Sequence, residues 1–503
     1  MTLFDFDYFI LIFALVVGYY ALGRFQKYVL LTGSILFFIM ASAEYVEKSI
    51  GIFLFVSAVT YTGAIIISKL KGKKRRFAAA ATIFLLVAVL VVFKYLYNLA
   101  DLTMSIFNAK ADISFLSFVS IIGVSYFTLS AIGYIVDVYW NSYKTELNPA
   151  DVILFIFFFP QLVSGPITRF DVMKKQFNEK TVLKYENISH GMRRMLWGYF
   201  KKLVISERMN IVVSAIYNDY TSYSAIGIIG ATICYAIRLY TDFSGCMDII
   251  IGTSRLFGIE LPENFSAPFF SKNVKEFWQR WHITLGIWFK DYVMYPLQKS
   301  ELMVRIGKAS KKRFGKKHGK RIPFYLSMTV LWFLIGIWHG GTGYYFVASA
   351  IIPCFYLIMS DLLQPVFKGI NNKLKIDTEC FSWRLFQSIR TGLLLCVCWF
   401  FVCSGSLSAA ADILCNMCKN PVSYTTFASA MKNMGLNAMD ILLVITGCLA
   451  IALEDYFSYH GENITQMLDK QNISFRFIVE GLEAAAIAFY GMAGTSEFIY
   501  FKF

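Results

Sequence analysis

Four uncharged apolar runs follow one another at the start of this chain, at residues 8–23, 28–43, 50–68 and 77–93, with only short connectors between them. Each is near the length of about 17 to 25 residues that a helix needs to cross a bilayer. A backbone in hydrocarbon has to satisfy its own hydrogen bonds, which an α-helix does within each segment, so serial runs of this kind leave little choice of fold. Similar runs recur nearly to the end of the 503 residues. With 57% hydrophobic and 16% charged residues and a mean hydropathy of +0.54, the solvent for most of the chain is lipid. Length alone would allow three soluble domains, but the continuity of the runs predicts one all-α polytopic membrane protein.

The net charge of +15 is concentrated. Residues 69–76 hold six basic residues, and residues 299–321 hold ten with one acid, so these two loops account for the whole excess. Short basic loops between spans mark the cytoplasmic side, and this reading is preferred to nucleic acid as a partner. Arg24 and Lys27 follow the first run, Glu44 and Glu47 the second, the six-basic loop the third, and Asp101 and Asp112 the fourth. That alternation puts the first and third loops inside and the N-terminus outside. The opening Met1-Thr2-Leu3-Phe4-Asp5-Phe6-Asp7 is acidic where a signal peptide is basic, which predicts an uncleaved first span. Most of the ten cysteines sit in apolar runs, where a thiol behaves as a small hydrophobe. Cys415 and Cys418 make a CxxC with no second pair or nearby histidine, so no metal site is expected.

Further along, the uncharged run 113–136 is interrupted by Gly123 and Gly133, and the run 152–168 contains Pro160, Gly165 and Pro166. Breakers inside an apolar run fit a re-entrant or broken element as well as a kinked span. Residues 188–209 mix Arg193, Arg194, Lys201 and Lys202 with Met192, Trp197, Phe200 and Leu203, which suits an amphipathic helix lying in the interface. A span at 221–237 then meets Arg238 and Asp242, at the i, i+4 spacing of a helical ion pair. Between Asn273, a capping residue with Glu276 three positions on, and Pro296, the spacing predicts one helix. Its aromatic face carries Phe277, Trp278, Trp281, His282, Trp288 and Phe289, opposite Lys275, Gln279, Arg280 and Lys290. His282 reads equally as a buried structural histidine and as a site residue.

His339 stands apart. Residues 322–360 contain no Asp, Glu, Lys or Arg, so His339 is the only strongly ionisable side chain among 39 residues. A polar side chain at membrane depth is costly and is a functional-site hypothesis by default. A helix starting at Ile322 reaches His339 after about 25 Å at about 1.5 Å per residue, in the outer half of a core about 30 Å thick. Gly340, Gly341 and Gly343 predict that the backbone turns there. Candidate spans at 344–360, 391–411 and 437–453 and a last apolar stretch at 482–503 bring the expected count to about eleven. The chain ends Phe498-Ile499-Tyr500-Phe501-Lys502-Phe503, with interfacial aromatic character.

Five stretches in order resemble the membrane-bound O-acyltransferase (MBOAT) family, in its alginate O-acetylation branch, which is related to the teichoic acid D-alanyl transfer membrane protein. They are Phe159-Pro160-Gln161-Leu162-Val163-Ser164-Gly165-Pro166-Ile167, Tyr240-Thr241-Asp242-Phe243-Ser244-Gly245-Cys246-Met247-Asp248, Pro262-Glu263-Asn264-Phe265, Phe277-Trp278-Gln279-Arg280-Trp281-His282 and Gly336-Ile337-Trp338-His339-Gly340-Gly341. The resemblance implies an MBOAT-type helical fold, with re-entrant and interfacial helices around a central tunnel. It divides the chain into N-terminal helices at 1–110, a catalytic core at 111–363 and C-terminal helices at 364–503. It implies acyl transfer from a cytoplasmic thioester donor, acetyl-CoA above all, with no bound cofactor, across the plasma membrane toward an extracytoplasmic acyltransferase or polysaccharide acceptor, with membrane lipid as the surrounding partner. His339 corresponds to the essential histidine, and His282 to a second one. Phe498-x-Tyr500-x-x-Phe503 is similar to a terminal motif of the branch, which makes Tyr500 a candidate acyl relay. Trp338, Trp281, Trp278, Asp242, Asn264, Gln161 and Pro166 would line the tunnel or bind substrate. D-alanyl transfer from a carrier protein to teichoic acid is the alternative within the family. A transporter is the alternative outside it, disfavoured because no internal repeat or string of intramembrane carboxylates is found.

Overall fold

A computed structural model describes residues 1–42, 46–96, 100, 104, 121–340, 343–421 and 433–492. The named elements among them are helices, and the one backbone bridge outside helices joins Phe265 to Trp281. The chain forms two compact units, Met1–Gly198 with Cys246–Pro262, and Tyr199–Gly245 with Glu263–Ser496.

The first unit contains α1 (Phe6–Ala21), α2 (Gln26–Ala41), α3 (Val46–Lys69), α4 (Gly72–Leu90, continued by a π-helical turn to Tyr95), α5 (Val124–Trp140), α6 (Pro149–Phe157), α7 (Phe159–Leu162), α8 (Phe170–Asn178) and most of α9 (Tyr185–Tyr199). Its interior is aromatic, with Phe157 packed on Phe53 at 4.4 Å, Phe127 at 5.1 Å and Phe38 at 5.5 Å between ring centres. The start of α5 needs a glycine. Gly123 has φ 74°, and a Cβ there would fall 2.1 Å from the Leu162 carbonyl oxygen. The apolar run 152–168 is broken rather than kinked. Phe158 is extended at ψ 112°, and Pro160, which has no N–H, sits in the first turn of α7, where that donor has no intrahelical partner to lose.

The second unit contains a π-helical turn (Phe200–Ser206), α10 (Glu207–Asn218), α11 (Ala225–Leu256, in this unit through Gly245), α12 (Val274–Arg280), α13 (Ile283–Phe289), α14 (Tyr295–Lys299), α15 (Glu301–Gly319), α16 (Ile322–Trp338), α17 (Gly343–Phe346), α18 (Ile352–Lys373), α19 (Phe381–Ser404), α20 (Leu407–Lys419), α21 (Ala438–Tyr459), α22 (Ile464–Asp469) and α23 (Ile473–Tyr490). Ile216, Ile228, Ala231, Phe400, Ala410 and Ile413 form one of its buried clusters. Arg208 is buried and donates from Nε to Asp440 at 2.8 Å and from Nη1 to the Val204 carbonyl at 2.9 Å, which ties α10 to the first turn of α21.

Seven helices among the described residues are long and apolar enough to cross a membrane, or eight if α15 and α16, bent by 89°, count as one span. The chain is therefore a polytopic helical membrane protein, with fewer such helices than the eleven spans expected. The differences have local causes. α5 has 17 residues and is buried along most of its length by protein. The run 152–168 breaks, and α23 carries Arg476, Glu480 and Glu483. The predicted span at 391–411 ends instead at Ser404, where Gly405 turns the chain and Ser406 caps α20. The span expected to stop at residue 237 continues to Leu256 through Arg238 and Asp242.

Three further expectations change. The basic loop at 299–321 is mostly helical, with α15 capped by Ser300. Lys201 and Lys202, placed by periodicity on the water-facing side of an interfacial helix, are buried, because the π-helical turn after α9 shifts the register. The single helix predicted from Asn273 to Pro296 starts as expected, with Asn273 Oδ1 accepting the Glu276 N–H at 2.9 Å. It then breaks at residues 281–282, and Pro296 opens α14 rather than ending a helix.

Candidate active site

The break between α12 and α13 places the first histidine. Trp281 is extended, and His282 takes a left-handed conformation at φ 47°, ψ 51°. The chain from Asn264 to Ser266 runs antiparallel beside it. The Ser266 N–H donates to the Arg280 carbonyl at 3.1 Å, and the Ile283 N–H donates to the Asn264 carbonyl at 3.0 Å. Asn264 is fully buried, and its Oδ1 accepts the Thr284 N–H at 3.0 Å and the Thr284 hydroxyl at 2.8 Å. The backbone donor fixes which end of the amide faces inward. His282 Nδ1 lies 3.4 Å from the same oxygen, which can only accept, so Nδ1 carries the proton in this contact and Nε2 keeps a lone pair. The imidazole is 4% exposed, and burial, then the neighbouring His339, pushes its pKa well below the ordinary value.

The second histidine comes from the end of α16. The helix stops at Trp338, the His339 N–H donates to the Ile335 carbonyl at 3.0 Å, and Gly340 turns away at φ 120°. The expected glycine turn is present. Trp338 packs against both imidazoles, with its ring centre 6.0 Å from that of His282 and 4.9 Å from that of His339. Phe243 meets His282 edge-on at 4.8 Å, and Tyr345 lies nearly parallel to His339 at 6.4 Å. Phe243, His282, Trp338, His339 and Tyr345 are thus linked by successive ring contacts.

The other sequence-selected residues divide. Trp281 packs behind His282 on Phe265 at 4.9 Å and stacks on Phe277 at 5.4 Å, and Trp278 meets Trp332 at 5.0 Å. Asp242 precedes Phe243 and pairs not with Arg238 but with Lys202 at 2.6 Å, while Lys202 also binds Glu207 at 2.6 Å. All three are at most 2% exposed. Burial would lower the Lys202 pKa, but the two carboxylates outweigh it and raise it. Gln161 and Pro166 belong to the first unit, where Gln161 donates to the Phe155 carbonyl at 3.3 Å and accepts from Thr168 at 3.3 Å, holding its own loop. Tyr500 lies outside the described residues, as do Gly341 and the rest of the terminal motif.

Sequence reasoning missed Thr284, Phe243, Tyr345 and Lys202. Asn264 was selected within a motif, but its task could not be read, because its partners lie 18 and 20 positions away across a helix break that periodicity does not reveal. No group of three or more His, Cys, Asp or Glu able to hold a metal occurs among the described residues. The chemistry on offer is that of two neighbouring imidazoles in an aromatic, low-dielectric setting, able to accept and return protons.

Residues 141–307 match the family model described as MBOAT, membrane-bound O-acyltransferase family. The chain is 29% identical over 292 residues to the protein named "Probable alginate O-acetylase AlgI" of Pseudomonas syringae pv. tomato, covering 58% of this chain and 50% of that one. It is 31% identical over 294 residues to the peptidoglycan O-acetyltransferase of Helicobacter pylori, covering 53% and 52%. It is also 28% identical over 291 residues to the teichoic acid D-alanyltransferase of Bacillus subtilis, covering 57% and 68%. The chain spans about half the length of the first of these curated relatives.

Proposed function

We propose, from the match of residues 141–307 to the membrane-bound O-acyltransferase family, that the chain transfers an acyl group, acetyl in the first instance, from a cytoplasmic thioester such as acetyl-CoA toward an extracytoplasmic polysaccharide. The observation that carries this reading is the pair of imidazoles, His282 and His339, that both pack against Trp338. In the proposed step His339 takes the proton of an attacking hydroxyl, whose oxygen bonds to the thioester carbonyl carbon. The carbon–sulfur bond breaks, and the proton returns to the leaving thiolate. His282, oriented by Asn264, serves the same carbonyl or the same proton through Nε2. Trp338, Trp281 and Trp278 wall the pocket and keep water out, and Asp242 holds α11 in place through Lys202.

The first acceptor is Tyr500, whose phenol, with a pKa of about 10, ionises more easily than an aliphatic alcohol. It would then pass the acyl group outward, to a partner transferase or directly to the polymer. This assignment and those of Gln161 and Pro166 to the substrate path rest on resemblance. So do the central tunnel and the plasma-membrane location, while the extracytoplasmic N-terminus rests on the alternation of basic and acidic connectors. The relative that carries D-alanine and the exposed basic face of α15, which suits an acidic carrier protein, favour D-alanyl transfer as the second reading.

Purified protein given acetyl-CoA tests the proposal. Turnover of the thioester is expected, with loss of about a hundredfold or more in His339→Ala if the histidine is the base. An acetyl adduct on the peptide containing Tyr500 supports the relay, and an alanyl adduct from a charged carrier supports the second reading. Unchanged turnover in His339→Ala removes the histidine mechanism. Turnover with no adduct under donor excess removes the relay alone.

A further inference from the structure

Arg238 sits near the middle of α11, one of the helices long and apolar enough to span. A charge at such a position normally pairs with another charge or with backbone carbonyls, or faces a water-filled path. The nearby carboxylates are engaged elsewhere. Asp242, one turn further on, binds Lys202 at 2.6 Å, and Asp455 accepts the Tyr240 hydroxyl at 2.7 Å. Among the described residues no carboxylate forms an ion pair with Arg238, and its Nε is buried with no hydrogen-bond partner.

Two neutral side chains among the described residues border this cation and lead toward the site. Its guanidinium carbon lies 6.0 Å from the centre of the Tyr235 ring, and Cys403 is a further neighbour. Tyr235 neighbours Tyr345, the ring that lies nearly parallel to His339 at 6.4 Å. Two tyrosines therefore connect an uncompensated guanidinium to the imidazole proposed as base.

We propose that Arg238 anchors an oxyanion subsite beside His339, which holds a phosphate or carboxylate group of one of the two substrates. The planar fork of an arginine matches either group with two parallel hydrogen bonds, and the low dielectric around it strengthens the pair. The charge of the site is balanced when the ligand is present. A neutral analogue of the right shape leaves that charge uncompensated and is rejected. The inference rests on the acyltransferase reading for its choice of ligands. The oxyanion belongs either to the phosphates of the thioester donor or to an acidic sugar of the acceptor.

The test compares binding of two matched pairs to purified full-length protein. Coenzyme A is set against pantetheine, which lacks the nucleotide phosphates, and a uronic acid oligosaccharide is set against a neutral glucan oligosaccharide. Wild type prefers the charged member of one pair, and that pair identifies the source of the oxyanion. Arg238→Gln weakens the charged member by about 10- to 100-fold and leaves the neutral one unchanged. Arg238→Lys, which keeps the charge but not the fork, loses less, and it carries the test if the glutamine variant does not fold. Wild type that discriminates within neither pair overturns the proposal. So does a folded Arg238→Gln with unchanged preference, or one that loses charged and neutral ligands equally. Failure of the acyltransferase reading shows separately, as absence of thioester turnover in wild type.

Discussion

His282 carries two loads that substitution can separate, an imidazole and a left-handed backbone at φ 47°. Glycine and alanine both delete the ring and leave nearly the same cavity, so the difference between them reports the backbone. An L-residue in this conformation costs about 1–2 kcal/mol. Alanine recovers about 0.4–1 kcal/mol of that because its unfolded chain is less free than that of glycine. His282→Gly should therefore be more stable than His282→Ala by about 1 kcal/mol, a reversal of the usual order. His282→Asn should lie near glycine, because asparagine tolerates the left-handed region, and His282→Val should be worst, because a branched side chain does not. Thermal melting of the four variants in one detergent gives the ranking. Turnover should fall to the same level in all four if the imidazole acts in the reaction. Alanine at least as stable as glycine would refute the backbone argument, and full turnover in the glycine variant would refute the chemical one.

Because burial holds the His282 pKa well below the ordinary value of about 6.5, its neutral form persists in the folded protein as the pH falls through that value. The unfolded chain takes up the proton first, so stability falls by up to about 1.4 kcal/mol per pH unit below about 6.5, until the folded pKa is reached. Melting curves from pH 7.5 to 5.5 should show this slope in wild type and lack it in His282→Asn; parallel curves would contradict the assignment. Lys202→Met strands Asp242 and Glu207 in the interior at a cost of about 3–5 kcal/mol. Adding Asp242→Asn and Glu207→Gln should recover most of the folded yield measured by size exclusion, and a triple variant no better than the single one would show that the charges are not what matters.

The parts of the fold visible in the sequence were those set by length and by local stereochemistry. Apolar runs marked most of the long helices, Asn273 marked the start of α12, and the glycines after His339 marked the end of α16. What stayed hidden depended on single residues that leave the hydropathy pattern intact. One left-handed residue at 282 ended a helix whose aromatic and charged faces still alternated on schedule beyond it. One π-helical turn moved Lys202 from the polar face into the interior. The Lys202–Asp242 pair was invisible for a different reason. It joins positions 40 residues apart, whereas the pair that spacing suggested, Arg238 with Asp242, lies on one helix and does not form. The site was legible as a set of residue types and not as an arrangement.

The 89° corner between α15 and α16 fixes more than a direction. One arm is a strongly basic, exposed helix, and the other ends at the imidazole, so α16 acts as a ruler whose zero is the corner. Lengthening that ruler by one residue would shift His339 along the helix by only about 1.5 Å but swing it by about 100°, and would carry Trp338 away from His282 with it. Four added residues would shift it by about 6 Å and turn it by only about 40°. Depth and bearing are therefore set by one number, the count of residues from the corner to the turn, and the reactive group can be retuned in one only by disturbing the other.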